Sequence, residues 1–127
     1  MKLQPDKFDV QAIASHGPGW VAVATQSGGQ RVESSVVIDS TGPLFAWGPA
    51  NFESLTPEHF AQLAALQPEL VVFGAGNRIR FVPPALQSAL IAANIGMECM
   101  DTAAACRTYN ILAQEGRHVV AALIVVA

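Results

Sequence analysis

A short apolar strand that runs directly into a capped helix is the feature that most constrains the fold of this chain. Residues 97–100 are predicted to form a strand, and Asp101 or Thr102 is placed to cap the helix that follows. Earlier in the chain, a loop containing Gly74 and Gly76 follows another apolar strand in the same way. Because parallel strands end at the same edge of a sheet, we expect both junctions to border one crevice.

The second half of the chain alternates between helices and strands. A helix is predicted to begin at Thr56-Pro57-Glu58, where threonine caps, proline takes the first helical position and glutamate favours the helix dipole. Pro83-Pro84 is predicted to begin a second helix, which ends at Gly96 because glycine suits a left-handed C-cap. A third helix ends near Gly116, and residues 118–126 supply the last strand. This order predicts parallel strands joined by right-handed crossovers.

The first half of the chain has a different pattern. From Val10 to about Trp47, short alternating or β-branched segments are separated by Gly17-Pro18-Gly19 and Ser27-Gly28-Gly29, which predicts an antiparallel meander. The predicted fold class is therefore α/β. We expect one domain over residues 1–127, with an N-terminal antiparallel β meander and a mostly parallel central sheet with flanking helices on both faces.

Composition excludes several classes of protein. Of the 127 residues, 51% are hydrophobic and 13% are charged, which predicts a folded domain with its own core. The formal net charge of -3 provides no positive field for phosphates, so we expect no nucleic-acid binding.

Residues near the two ends of the sequence bear on the cellular location. Residues 1–6 show neither the apolar run of a secretory signal nor an Arg-rich presequence, which favours the bacterial cytoplasm. The longest apolar run, residues 119–127, reaches about half the length of a membrane-spanning helix, so we expect no membrane insertion.

A family resemblance accompanies these patterns. Residues 73–84, together with 96–103 and 108–110, resemble the family typified by the mitochondrial complex I assembly factor 3 protein, and also the adipogenesis-associated Mth domain-containing protein. The segment 42–47 and the closing hydrophobic strand fall where that family has them. The resemblance implies a three-layer α/β fold with a mixed sheet and no established catalytic activity. In the mitochondrial branch it implies a role in assembling the respiratory NADH dehydrogenase.

The glycine loop has two interpretations. Its backbone N–H groups could face an anion, or its glycines could serve a tight left-handed turn and close helix packing. Ile79 stands where a dinucleotide fingerprint has its third glycine, which argues against nucleotide binding. The candidate ligand or partner crevice comprises Gly74, Gly76, Asn77, Arg78, Asp101, Thr102, Arg107 and Thr108.

The charged residues near the junctions also leave alternatives open. Arg78, Arg80 and Arg107 could converge into an anion clamp, or they could pair with Glu98, Asp101 or helix carbonyls. Asp101 could cap the third helix or act as a general base.

Residues 108–110, Thr-Tyr-Asn, lie within the third helix although threonine and asparagine are poor helix formers. They could make buried hydrogen bonds to the meander or form an exposed recognition surface.

Reactive and metal-binding groups give weak signals. Cys106 could be activated by the helix dipole, or it could be a small buried hydrophobe. His16, His59, His118 and the two cysteines show no ligand-pair spacing. We therefore assign no catalytic residue, no metal and no cofactor.

The aromatic residues Phe45, Trp47 and Phe52 form a candidate partner loop among turn residues. Exposed aromatic side chains often anchor protein partners, whereas core packing is the alternative.

Two hypotheses for the function follow from these observations and from the resemblance. The first is a non-enzymatic accessory protein that binds an unidentified protein partner in assembly of a respiratory or membrane-associated complex. The second is a protein that binds a small anion or metabolite through Gly74, Gly76, Arg78 and Arg107, with Asp101 or Cys106 available for chemistry.

Overall fold

The computed structural model describes residues 11–25 and 28–126, and within them the chain forms two sheets and three α-helices. Residues 1–10, on which the targeting prediction depends, and Ser27 of the second predicted turn lie outside the described residues. The strands are β1 (Ala12–Gly17), β2 (Trp20–Thr25), β3 (Gly28–Val32), β4 (Val36–Asp39), β5 (Leu44–Ala46), β6 (Leu70–Gly74), β7 (Gly96–Met100) and β8 (Val119–Leu123). The helices are α1 (Pro57–Ala64), α2 (Ser88–Ala92) and α3 (Thr102–Gln114), and short 3₁₀ turns cover Phe52–Ser54 and Pro84–Gln87.

The two sheets divide the strands between them. Strands β1, β2 and β3 form the predicted antiparallel meander, whereas β4 and β5 join the central sheet, whose order is β5-β4-β8-β6-β7. In that sheet β6 pairs in parallel with β7 and β8, and β4 pairs antiparallel with β5 and β8. The predicted mixed sheet is confirmed, with its parallel and antiparallel pairings equally divided.

Strand β8 explains why the fold has three layers. Val119, Ala121 and Leu123 pack into one apolar cluster, beneath the three-stranded sheet and α3. Their neighbours Val120 and Ala122 pack into a second cluster, which lies beneath α1 and α2. A strand that is apolar on both faces requires a layer on each side, so the predicted α/β three-layer fold is confirmed.

The starts of α1 and α3 agree with the sequence signals. The Thr56 backbone N–H donates to Nδ1 of His59 at 3.0 Å, so histidine occupies the place that glutamate often takes in a capping box. Asp101 caps α3, since its Oδ1 accepts from the Ala104 N–H at 2.8 Å. The capping interpretation of Asp101 is confirmed.

The predicted end of the second helix is wrong. Helix α2 ends at Ala92, and Asn94 adopts the left-handed conformation, with φ of 59°. Gly96 is instead the first residue of β7 and pairs with Leu70. Asparagine tolerates the left-handed region, so the turn needs no glycine.

Helix α3 covers the outer edge of β1. The Asn110 side chain accepts from the Ile13 N–H and donates to the Ile13 carbonyl, both at 2.8 Å, as a neighbouring strand would. The buried Tyr109 hydroxyl donates to the Gln11 carbonyl at 2.8 Å, and burial raises the pKa of Tyr109 well above its usual range. For these two residues, the predicted hydrogen bonds to the meander are confirmed.

The carboxyl end of β6 touches the start of α3. A Cβ at Gly74 would stand 2.9 Å from both the Cα and the Oγ1 of Thr102, and 3.0 Å from a methyl carbon of Leu123. One of the two nearest atoms, the Thr102 Cα, belongs to the backbone and cannot rotate away. Glycine at this position is therefore what allows α3 to approach the sheet.

Replacing Asn110 with alanine should lower the free energy of unfolding by about 2 kcal/mol, because the Ile13 N–H and carbonyl would lose their partners. Chemical denaturation monitored by circular dichroism measures the change. Gln114→Ala, at an exposed position on the same helix, is the matched control and should stay within about 0.5 kcal/mol of wild type. Equal effects of the two changes would contradict the edge-covering role.

Replacing Gly74 with alanine should lower the free energy of unfolding by about 1 to 3 kcal/mol through overpacking against the Thr102 backbone. Gly29→Ala in β3 is the control, since its nearest contact would be the Val23 carbonyl at 3.9 Å. Thermal unfolding of both variants tests this, and a Gly74→Ala protein as stable as wild type would show that α3 can shift at no cost.

Candidate functional site

The Thr102 hydroxyl joins three segments at the carboxyl ends of the parallel strands. It accepts from the Gly76 N–H at 2.9 Å and donates to the Ile124 carbonyl at 2.8 Å. The Thr102 N–H in turn donates to the Gly76 carbonyl at 2.9 Å. The glycine loop, the start of α3 and the segment after β8 are thereby held together.

These bonds decide between the two interpretations of the glycine loop. The N–H groups of Ala75 and Gly76 already donate to the Met100 carbonyl and to Thr102 Oγ1. Gly76 has a φ of 105°, which favours glycine. The loop therefore acts as a tight turn with close helix packing, and these two amides are not available to an anion.

A cleft of about 260 Å³, here called the strand-end cleft, lies beside this junction. The turn between β1 and β2 covers one side of the cleft. The Gly19 N–H holds this turn in place by donating to the Val126 carbonyl at 2.9 Å. The lining residues are His16, Gly17, Pro18, Trp20, Gly76, Asn77, Asp101, Thr102, Ala103, Ile124, Val125 and Val126. The structure thus brings together four of the predicted crevice residues, Gly76, Asn77, Asp101 and Thr102.

The sequence did not indicate that the turn between β1 and β2 and Trp20 line a cleft. Gly17-Pro18-Gly19 was recognised only as a turn, and no local pattern indicates which part of the fold a turn covers. Trp20 lies against this turn, because its indole nitrogen is 2.7 Å from where a Cβ at Gly17 would stand. The Arg31 guanidinium stacks on the same indole, 4.4 Å from the ring centre.

A second cleft of about 200 Å³, here called the basic cleft, lies between the glycine loop and the 3₁₀ turn at 52–54. It is lined by Asn51, Phe52, Glu53, Ala75, Asn77, Arg78, Arg80, Ile124 and Val126. The two clefts share Asn77, Ile124 and Val126. Residues from the predicted crevice and from the predicted partner loop therefore meet at one surface.

Arg80 is held in place within the basic cleft. Its guanidinium pairs with Glu53 Oε2 at 2.7 Å and lies 4.0 Å from the centre of the Phe52 ring. The hydrogen bond from Arg80 is the largest of the effects that lower the pKa of Glu53, and the charge of Arg78 adds to them. The local field therefore favours carboxylates.

The three arginines do not converge into an anion clamp, which was one of the two alternatives left open by the sequence. Arg78 and Arg80 share the basic cleft, whereas Arg107 is exposed on α3 and lines neither cleft. Thr108 is partly buried on α3 and also lines neither cleft. Helix periodicity places residues 107 and 108 more than one turn beyond the Asp101 cap, which carries them away from the strand ends.

The three aromatic residues of the candidate partner loop have different environments. Trp47 is only 3% exposed, its Nε1 donates to the His59 carbonyl at 3.3 Å, and its ring meets Phe60 edge-on at 5.8 Å. Phe45 is partly buried against the same cluster, so core packing is the role of both residues. Phe52 lines the basic cleft and is the member of the loop that remains a candidate contact.

The thiol of Cys106 is not prepared for chemistry. The side chain is 1% exposed, and burial raises its pKa to about 11 despite the neighbouring Arg107 charge. At neutral pH it is therefore a thiol rather than a thiolate, which agrees with the buried-hydrophobe interpretation. Among residues 11–25 and 28–126, no group of three potential ligands is arranged to hold a metal ion.

A second polar cluster, which sequence reasoning did not identify, lies at the start of β8. The buried Asp39 carboxylate accepts from the Thr41 N–H at 2.9 Å and from its hydroxyl at 2.8 Å, and it contacts His118 Nε2 at 2.9 Å. Ser40 Oγ accepts from the Val119 N–H at 3.0 Å. These bonds fix the turn after β4, far along β8 from both clefts.

Comparison with known proteins agrees with the resemblance noted in the sequence. The chain is 38% identical over 80 residues to the Bos taurus protein named NADH dehydrogenase (ubiquinone) 1 alpha subcomplex assembly factor 3; the match covers 61% of this chain and 44% of that protein. It thus spans less than half the length of that relative. An uncharacterised protein of Rhodobacter capsulatus is 36% identical over 116 residues, which cover 88% of this chain and 82% of that protein.

A solved structure agrees as well. The solution structure of a Bordetella pertussis protein described as a Mth938-like domain superposes with a TM-score of 0.79 at 28% identity, and covers 100% of this chain and 95% of that one. Within the described residues, no helix has both the length and the apolar character that crossing a membrane requires. Residues 13–124 match the family described as a protein of unknown function, DUF498/DUF598, and the chain belongs to that family.

Proposed function

We propose that this protein is a non-enzymatic accessory protein that binds another protein during the assembly of a respiratory or membrane-associated complex. The named role of the Bos taurus relative, an assembly factor of NADH dehydrogenase, supports an assembly role. The match covers only 44% of that relative's length, so a respiratory complex as the partner of this chain is itself part of the proposal. The proposal includes the bacterial cytoplasm as the location, one domain over residues 1–127, and no binding of nucleic acid.

The observation that carries the proposal is the surface around the basic cleft. Phe81 is 74% exposed and Ile79 is 49% exposed, and both follow directly on the cleft residue Arg78 or Arg80. Large apolar side chains beside arginines and a partly buried phenylalanine are typical of protein interfaces. We take the basic cleft with Ile79 and Phe81 as the partner surface.

Replacing Phe81 with serine should weaken partner capture at least tenfold while leaving the fold intact, because the ring contributes to binding and hardly to the core. Ile91→Ser is the matched control, since Ile91 is 56% exposed but lies on α2. The tagged full-length chain is captured from gently solubilised host cells, and respiratory-complex subunits are quantified by mass spectrometry. We expect these subunits with wild type and Ile91→Ser, and few of them with Phe81→Ser.

Deletion of the gene tests the proposed assembly role in the cell. Membranes of the deletion strain should show less assembled respiratory complex on native gels, and the wild-type gene should restore it. If assembly is unchanged and no subunit is captured, the accessory function is wrong. If capture succeeds but both serine variants behave alike, the function stands and the assigned surface is wrong.

A second candidate function uses the strand-end cleft. Its polar groups, His16, Asn77 and Asp101, face one recess beneath a fixed turn, which is an arrangement that can orient a small molecule. Under this alternative, the cleft holds a small anion or metabolite, and any chemistry would involve Asp101.

Native mass spectrometry of protein purified from its host tests this alternative. Asp101→Asn removes a negative charge but keeps the helix cap, since asparagine caps as well as aspartate. An anionic adduct should therefore be retained or increased in Asp101→Asn and lost in Ala103→Phe, which fills the cleft. A wild-type spectrum without an adduct, or an adduct that survives Ala103→Phe, would contradict this second function.

A further inference from the structure

The charges in the basic cleft do not balance. The two guanidinium groups of Arg78 and Arg80 face the single carboxylate of Glu53, which leaves one net positive charge. The chain as a whole carries a formal charge of -3, so this positive surface is local. A local field of this kind selects the charge of what docks on it.

The two arginines differ in how they are engaged. Arg80 is oriented by its ion pair with Glu53 and by the Phe52 ring, and 31% of its side chain stays accessible. Arg78 is exposed and makes no ion pair among residues 11–25 and 28–126. Arg78 can therefore accept a carboxylate from outside the chain, next to a guanidinium that is already positioned.

The rest of the cleft is small, and apolar side chains line it together with Asn51 and Asn77. Phe52, Ala75, Ile124 and Val126 contribute carbon surface between the charged groups. A volume of about 200 Å³ suits one or two side chains rather than a larger ligand. Ile79 and Phe81, 49% and 74% exposed, extend the apolar surface beyond the cleft.

We infer that the basic cleft binds an acidic segment of a protein partner, in which an Asp or Glu lies close to an aliphatic or aromatic residue. The partner carboxylate pairs with Arg78 beside Arg80, and the apolar side chain packs on the carbon surface between Phe52 and Phe81. This inference rests on the proposed function and specifies the chemistry of its partner. It depends on the charge imbalance, on the Arg78 guanidinium, which makes no ion pair within the described part of the chain, and on the adjoining exposed side chains.

A displayed library of random twelve-residue peptides, selected against the immobilised full-length protein, tests the inference without knowledge of the partner. Selected peptides are synthesised and their affinity is measured by fluorescence anisotropy at two salt concentrations. Arg78→Gln removes the charge proposed to bind, and Arg107→Gln is the matched control because Arg107 is also exposed and lines neither cleft.

We expect the selected peptides to be enriched in Asp and Glu next to apolar residues. Their affinity should fall at least tenfold with Arg78→Gln, or when the peptide Asp or Glu becomes Asn or Gln, and should change little with Arg107→Gln. Added salt should weaken binding. Amide signals of residues 51–53 and 75–81 in the NMR spectrum should shift on titration, which locates the peptide.

Several outcomes would overturn the inference: neutral or basic peptides, equal losses with both arginine variants, or no enrichment above background. Competition by inorganic phosphate at equal strength would assign the cleft to a small anion, and self-association lost in Arg78→Gln would assign it to a second copy of the chain. Failure of the proposed function is separate, because it is judged by complex assembly in the deletion strain. Assembly that depends on the protein combined with non-acidic peptides would reject only this inference.

Discussion

One hydroxyl group determines how the end of the molecule that carries the two clefts is built. Thr102 Oγ1 lies between the Gly76 N–H and the Ile124 carbonyl and so connects segments that are separated by 26 and 22 positions in the chain. The connection requires α3 to begin almost in contact with β6, and this approach is possible because position 74 carries no side chain. Asp101 caps the helix at this point, since its Oδ1 accepts from the Ala104 N–H.

The direction of α3 fixes the other sheet in turn. Along this helix, Tyr109 and Asn110 follow the capped end by two turns and bond to the backbone of Gln11 and Ile13. The edge of β1 is therefore satisfied by side chains instead of a ninth strand. Because β1 is placed in this way, its turn into β2 comes to lie over the strand ends and closes the strand-end cleft.

The sequence predicted those features that depend on local patterns. Apolar patterns and helix caps indicated the layers and the cap at Asp101, because periodicity and capping act over a few residues. The mixed sheet was expected from the family resemblance. Trp47 could not be assigned in this way. Its neighbours form turns, yet its side chain turns inward beneath α1, and that depends on tertiary packing. The separation of Arg107 from Arg78 has the same origin. A sequence position close to a predicted strand–helix junction does not decide which face of α3 a side chain occupies.

The two clefts are not independent surfaces. Asn77, Ile124 and Val126 contribute to both, and the Thr102 hydrogen bonds hold the segment that carries them. A group bound in either cleft thus contacts a wall that the other also uses. The wall is fixed, but the charges on its two sides differ: Asp101 lies on the strand-end side, and two arginines lie on the other. An anionic side chain is therefore favoured on the arginine side, where two guanidinium groups outweigh the single carboxylate of Glu53.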